Sequence, residues 1–150
     1  MTFRKATSED LPAIIEMIAN DDLGRLREQY QDPLPKEYYR AFELIDKDIN
    51  QELYVIDNSE GEVVASFQLS FLQYLTYMGG IRCLVENVHV KKGETGKGIG
   101  RQMFQWIIER AKDKQVHLIQ LTSNKLRPDA IRFYKGLGFN ATHEGFKLNL

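Results

Sequence analysis

Apolar positions along this chain change period twice, and those changes divide it into elements. Thr2–Ala6 alternates and predicts a short first strand, closed by the polar run Thr7-Ser8-Glu9-Asp10. Thr7 with an acid three residues later reads as a helix start close to a capping box. Behind it Leu11, Ile14, Ile15 and Ile18 recur at i, i+3, i+4, i+7, the stripe of an amphipathic helix that should reach about Asp22. Asp32-Pro33-Leu34-Pro35 interrupts it. Pro35 suits the first turn of a second helix, on which Tyr38, Phe42, Ile45 and Ile49 share a face.

After Asn50 the period falls to two. Glu52–Asp57 and Val63–Leu72 flank Asn58-Ser59-Glu60-Gly61, which predicts a hairpin. In its second strand Ala65, Phe67, Leu69 and Phe71 alternate with Ser66, Gln68 and Ser70, so one face is apolar and one lightly polar. Gly79-Gly80 turns the chain into a third strand, Ile81–Val90. A Gly-rich loop, 92–100, then opens a helix whose Ile99, Met103, Trp106 and Ile107 face inward. Val116–Thr122 reads as a strand, Pro128–Leu137 as a helix, and Gly138–Leu150 as one or two last strands. This order predicts an α/β (mixed α+β) fold, with helices on both faces of one mixed sheet.

At 150 residues and 43% hydrophobic, the chain fits one domain, 1–150, able to fill a core without staples. Cys83 is the single cysteine, so no internal disulfide forms. His89, His117 and His143 have no zinc-like spacing, and no metal site is expected. The N-terminus has no apolar leader and no stretch is long enough to span a bilayer, so a cytoplasmic protein without membrane partners is expected. A homodimer is left open. The formal charge of −1 hides two unlike halves: residues 1–75 hold 7 basic and 15 acidic side chains, and residues 76–150 hold 13 and 6. A uniformly basic nucleic-acid surface is therefore not expected, and no helix-turn-helix pattern is present.

A strand running into glycines and then a helix holds phosphate well. Glycine permits close approach and positive φ, and the first helical N–H groups have no internal partner. A Walker loop is excluded because Gly98 follows Gly96-Lys97 where a hydroxyl is needed, and a dinucleotide fingerprint fails because Arg101 stands at its third glycine. Thr95-Gly96-Lys97-Gly98-Ile99-Gly100 instead matches Arg/Gln-x-x-Gly-x-Gly/Ala. It follows Val85-Glu86-Asn87-Val88-His89-Val90 and precedes Asn124, then Ala130-Ile131-Arg132-Phe133-Tyr134 and Leu137-Gly138-Phe139. In these motifs, their order and their spacing, the chain resembles the GNAT acetyltransferases over nearly its whole length. The resemblance implies a central twisted, mostly antiparallel mixed sheet with helices on both faces. It also implies an acetyl-CoA-dependent N-acetyltransferase acting on a primary amine of a small molecule or peptide. A non-catalytic acyl-CoA-binding regulatory module is the alternative.

An alkylamine with a pKa near 10.4 is almost wholly protonated at neutral pH, so a base is needed, and the departing thiolate gains from an acid. Glu86 is the candidate base; a β-bulge turning it to solvent is the competing reading. If the strand is unbroken, Glu86 shares parity with Leu84, Val88 and Val90, and burial there raises its pKa. Tyr134 is the candidate acid, which the resemblance places beside the coenzyme sulfur; the alternative is a core aromatic paired with Phe133. The resemblance further implies that Val88 and Val90 offer backbone groups to the acetyl and pantetheine. Thr95, Gly96, Lys97, Gly98, Ile99, Gly100 and Arg101 would cradle the pyrophosphate. Thr95 stands where Arg or Gln is usual and loses reach and charge, which Lys97 and Arg101 could offset. Asn124 would bond the pantetheine arm or else cap its strand. Lys125, Arg127 and Arg132 are candidates for the 3′-phosphate, or a solvated basic face. Cys83 reads as a small core residue and His89 as a surface one. On the acceptor side the resemblance points to the first two helices and their loop, with Asp22, Arg27 and Tyr30 as substrate-binding candidates. The Arg127–Tyr134 stretch and Thr142-His143 also resemble aminoalkylphosphonate acetyltransferases.

Overall fold

The computed structural model describes residues 1–21 and 28–150. Its elements are β1 (Thr2–Lys5), a 3-10 turn (Ser8–Asp10), α1 (Leu11–Ala19), α2 (Lys36–Lys47), β2 (Gln51–Asp57), β3 (Val63–Gln73), the helical turn α3 (Thr76–Gly79), β4 (Ile81–Val90), α4 (Ile99–Asp113), β5 (Leu118–Gln120) and α5 (Pro128–Gly136). They fall into two compact units, Met1–Gln120 and Leu121–Leu150. The first holds the whole sheet, in the order β1-β2-β3-β4-β5. Four strands run antiparallel and β5 lies parallel to β4, a mixed sheet as the element order predicts and mostly antiparallel as the resemblance implies.

Alternation assigns the two faces. Val55, below α1, packs with Ala6, Leu11, Ile14, Ile15, Ile18 and Leu34, and α2 adds Tyr38 and Phe42 to that cluster. On the opposite face Trp106 of α4 meets Phe3, Tyr54 and Phe67 at ring distances of 5.5, 4.5 and 5.6 Å. Phe104, Met103 and Ile107 beside it are fully buried, while Trp106 itself is half-buried. Helices thus cover both faces of one sheet.

Several boundaries differ from the sequence pattern, each for a local reason. α1 stops at Ala19, short of Asp22: Asn20 caps the end, and Asp21 just beyond it opposes the helix dipole. α2 ends at Lys47 and leaves Ile49 exposed instead of on the Tyr38 face. There the Asp48 carboxylate accepts the Asn50 N–H and the Gln51 amide, both at 2.9 Å, and diverts the chain into a turn. β5 covers only Leu118–Gln120 because the Val116 N–H still bonds Ala111 of α4 and His117 bonds Ile81. The strands expected over Gly138–Leu150 are absent. Phe146, Leu148 and Leu150 alternate correctly yet stay exposed, since alternation without a neighbouring strand gives no ladder. Between β3 and β4 the connection is longer than a Gly-Gly reversal: residues 74–80 separate paired Gln73 and Ile81, with Tyr77 and Met78 both left-handed at φ 53° and 56°.

A buried ion pair ties α4 to the sheet. Glu52 of β2 is 4% exposed and accepts Arg110 Nε at 3.0 Å and Nη2 at 2.5 Å, with Lys114 Nζ 3.6 Å away. Burial alone would raise its pKa, but the Arg110 hydrogen bonds and the nearby cationic charge outweigh it and hold the carboxyl below its ordinary value. A depressed carboxylate stabilises the fold above its unfolded pKa near ~4.3, and that contribution fades as pH falls through the folded value. Urea midpoints should therefore drop between pH 7 and pH 3 in the native chain. At pH 7 Glu52→Ala should cost about 3 kcal/mol, because Arg110 is left without its partner, and the variant should lose less than the native chain on acidification.

Candidate functional site

β4 is the strand around which the candidate residues gather. Its pairing with β5 covers only Arg82–Leu84. Beyond Leu84 the β5 ladder stops, so the strand's far half separates from that neighbour. On the other side the register with β3 slips: Glu86 pairs with Gln68 and His89 with Ser66, so Asn87 and Val88 together oppose Phe67. The slip is a β-bulge, and Asn87 takes left-handed backbone there, φ 52°. Asparagine tolerates that conformation better than most residues. Its amide then donates to Gln68 Oε1 at 3.0 Å, while Gln68 Nε2 donates to Gln51 Oε1 at 2.8 Å.

The bulge revises the parity read from sequence. Cys83 and Val85 point into the core, so Arg82, Leu84 and Glu86 lie on the opposite face, with α1 and α2. Glu86 is exposed instead of aimed into a packed layer, and Val90 now sits on the other face from it. Val88 and His89 are half-buried.

After β4 the chain enters the Gly-rich loop. Gly96 and Gly98 both sit at φ 82°, a conformation that favours glycine, and a Cβ at either would meet no atom within 4 Å. The glycines therefore serve a backbone shape with free space beside it. Gly98 is the residue before α4, which begins with no side-chain cap, and buried Ile99 anchors the first turn. The leading N–H groups of a 15-residue helix thus face that space without a capping oxygen, an arrangement that suits an oxyanion. Thr95 and Arg101 are exposed and Gly100 is half-buried. Lys97 ion-pairs with Glu94 at 2.9 Å, so its charge is already partly answered and Arg101 is the better-placed cation to offset the missing Arg or Gln.

The remaining sequence candidates lie in the second unit or near the first helices. Tyr134 of α5 is half-buried and packs edge-on to Phe133 at 5.4 Å and Phe139 at 6.1 Å. Asn124 shapes the turn into α5, its Oδ1 accepting the Leu126 N–H at 2.9 Å and its carbonyl the Arg127 N–H at 2.9 Å. Arg132 pairs with Asp129 and Lys125 with Glu144, and Arg127 is exposed at the start of the helix. Tyr30 is half-exposed; Asp22 and Arg27 lie outside the described residues. Burial pushes the Cys83 thiol up to about 12, which suits a core residue. Among the described residues no group of His, Cys, Asp and Glu is placed to hold a metal ion, and no helix is long and apolar enough to cross a membrane.

The polar relay Gln51–Gln68–Asn87 was not anticipated as part of a site. Its signal was the lightly polar face of β3; what alternation cannot show is the bulge that brings Asn87 within reach of Gln68.

Comparison with known proteins agrees with this geometry. The profile of the acetyltransferase (GNAT) family matches residues 21–139. An aminoalkylphosphonate N-acetyltransferase from Salmonella typhimurium is 29% identical over 147 residues, 95% of this chain and 87% of that protein. A crystal structure of a transcriptional regulator from Bacillus halodurans C-125 superposes with a TM-score of 0.95 at 51% identity, covering 99% of each chain. A predicted acetyltransferase from Clostridium acetobutylicum, solved with acetyl-CoA, shares the fold with a TM-score of 0.74 at 24% identity, over 99% of this chain and 95% of that one.

The bulge conformation is testable by itself. Asn87→Val should destabilise the fold by about 1–2 kcal/mol in urea, since a β-branched residue resists left-handed backbone, whereas Asn87→Gly should stay within about 1 kcal/mol of the native chain.

Proposed function

Because the chain belongs to the acetyltransferase (GNAT) family, we propose that it is an N-acetyltransferase that moves an acetyl group from acetyl-CoA to a primary amine of a small molecule or peptide. The observation that carries this reading is the uncapped start of α4 behind Gly96 and Gly98, placed directly after a strand that has lost its β5 neighbour. The loop amides would hold the pyrophosphate, with Arg101 adding charge. Val88 and Val90 would offer strand-fashion backbone groups to the pantetheine and acetyl carbonyl.

The thioester supplies an activated acetyl group. Glu86, exposed on the α1/α2 face, takes a proton from the acceptor ammonium, directly or through one water. The amine nitrogen lone pair then forms the new C–N bond as the C–S bond breaks and its electron pair leaves with sulfur. Tyr134 donates the proton that converts the departing thiolate to free CoA thiol; the second nitrogen proton is lost to solvent, and Glu86 passes its proton to solvent while the Tyr134 phenolate recovers one, restoring both residues. Asn124, Arg127 and the neighbouring basic residues would steady the coenzyme's outer half. We further propose that residues 1–150 act as one cytoplasmic domain. The activity of the Salmonella relative makes aminoalkylphosphonates the first acceptors to try.

A second reading is a non-catalytic acyl-CoA-binding regulatory module. It draws support from the relative named as a transcriptional regulator and from Thr95 in place of Arg or Gln. The test that separates the two is release of CoA thiol from acetyl-CoA across primary amines, aminophosphonates and peptides. Turnover with at least one acceptor is expected, falling roughly 10²-fold or more in Glu86→Gln and in Tyr134→Phe. Tight acetyl-CoA binding with no turnover on any acceptor favours the regulatory module. Unchanged rates in both variants would reject the catalytic assignments. Thr95→Arg should tighten acetyl-CoA binding by about tenfold in calorimetry, through a charge-assisted fork that threonine lacks.

A further inference from the structure

One arginine on the acceptor-side face is left incomplete. Arg82 stands in β4 on the same face as Glu86, with Leu84 between them, while Leu72, Ser70 and Gln68 pair beside the three across β3. Its guanidinium carbon lies 4.5 Å from the Tyr74 ring centre and 5.9 Å from that of Tyr77. Its Nε is buried with no hydrogen-bond partner, and it ion-pairs with no carboxylate among the described residues. Burying a donor unpaired costs about 1–3 kcal/mol, and buried cationic donors are normally satisfied. The Tyr74 ring face answers part of the guanidinium charge, but it accepts no fork. An oxyanion would satisfy both the charge and the free donors.

The other end of the strip is also prepared. Gln68 beside Glu86 spends both halves of its amide on Asn87 and Gln51, and Gln51 in turn donates to Asp48, so this floor is fixed before any ligand arrives. Four residues of strand separate Arg82 from Glu86, roughly 13 Å at ~3.3 Å per residue. Between them the surface is neutral, made of Leu84, Ser70 and Leu72.

We propose that Arg82 binds the distal oxyanion of the acceptor, so that the substrate class is a primary amine joined to a carboxylate, phosphate or phosphonate by an uncharged spacer on the order of 10 Å long. This rests on the reading of Glu86 as the residue that meets the amine. Tyr74 keeps the guanidinium beside its ring and Leu84 with Leu72 supports the spacer. Short acceptors, whose amine and anion lie within a few bonds, cannot reach both ends at once.

The test is a length series of ω-aminocarboxylates, from about two to about ten methylenes, each compared with the n-alkylamine of equal length, with CoA thiol release as the readout. In the native chain kcat/KM should climb with length and exceed that of the matched alkylamine by about tenfold at the best spacing. Arg82→Gln should erase that advantage by raising KM with kcat unchanged, and should leave the alkylamines alone. Arg82→Lys, which keeps the charge and loses the fork, should recover part of it. An advantage absent at every length, or Arg82→Gln slowing acids and plain amines alike, overturns the proposal. Absence of turnover with every amine speaks instead against the acetyltransferase reading. In that event calorimetric titration with N-acetyl-8-aminooctanoate decides the site: binding at least tenfold weaker in Arg82→Gln upholds it, and equal binding in the two proteins overturns it.

Discussion

The docking of α4 onto the sheet is the constraint on which the geometry of the Gly-rich loop depends. Trp106 is gripped by Phe3 from β1, Tyr54 from β2 and Phe67 from β3, and one turn further Arg110 locks onto buried Glu52. Aromatic area supplies attraction without fixing rotation about the helix axis; the Glu52–Arg110 pair supplies the rotation. Together they determine where the helix starts, and so where the bare amides behind Gly98 stand relative to the end of β4. A helix free to slide by one residue would move those amides by about 1.5 Å, enough to break a hydrogen bond to them.

The second constraint is the bulge. A regular β4 would keep Glu86, Val88 and Val90 on one face, and the strand would offer either its carboxylate or its apolar side to the helices above. With Asn87 as the extra residue, Glu86 stays with Arg82 and Leu84 on the α1/α2 face while Val90 faces the other way. One strand can then present a polar strip on one face and, past Leu84, backbone groups that β5 leaves unpaired. The two substrates of a group transfer need such a division, since each must reach the reaction centre without blocking the other.

Much of this was legible in the sequence because it depends on local pattern. The stripe Leu11, Ile14, Ile15, Ile18, the alternation of Ala65 to Phe71, and the helix opened by Ile99 are all set by period, and each sits as expected. The family itself was readable from the Gly loop and the Phe133-Tyr134 helix. What failed was what needs a neighbour. Ile49 continued a helical stripe that Asp48 had already ended, and Phe146, Leu148 and Leu150 alternate without a partner strand. The parity of Glu86 depended on a register slip decided by pairing with β3, and Arg82 drew no notice because its missing partner is visible only once Tyr74 is placed beside it. The segment between α1 and α2 gave the least: Asp22 and Arg27 fall outside the described residues.

Cys83 lies at the centre of β4, paired to Phe71 on one side and Ile119 on the other, with no exposed surface and a thiol pushed up to about 12. A thiol-reactive dye therefore meets almost no thiolate on the folded protein and reports only sulfur released from the coenzyme. The same residue also reports on the packing over the sheet: with no exposed surface, Cys83 can be labelled only when the layer covering its face of β4 opens, so its labelling rate measures how often that core comes apart.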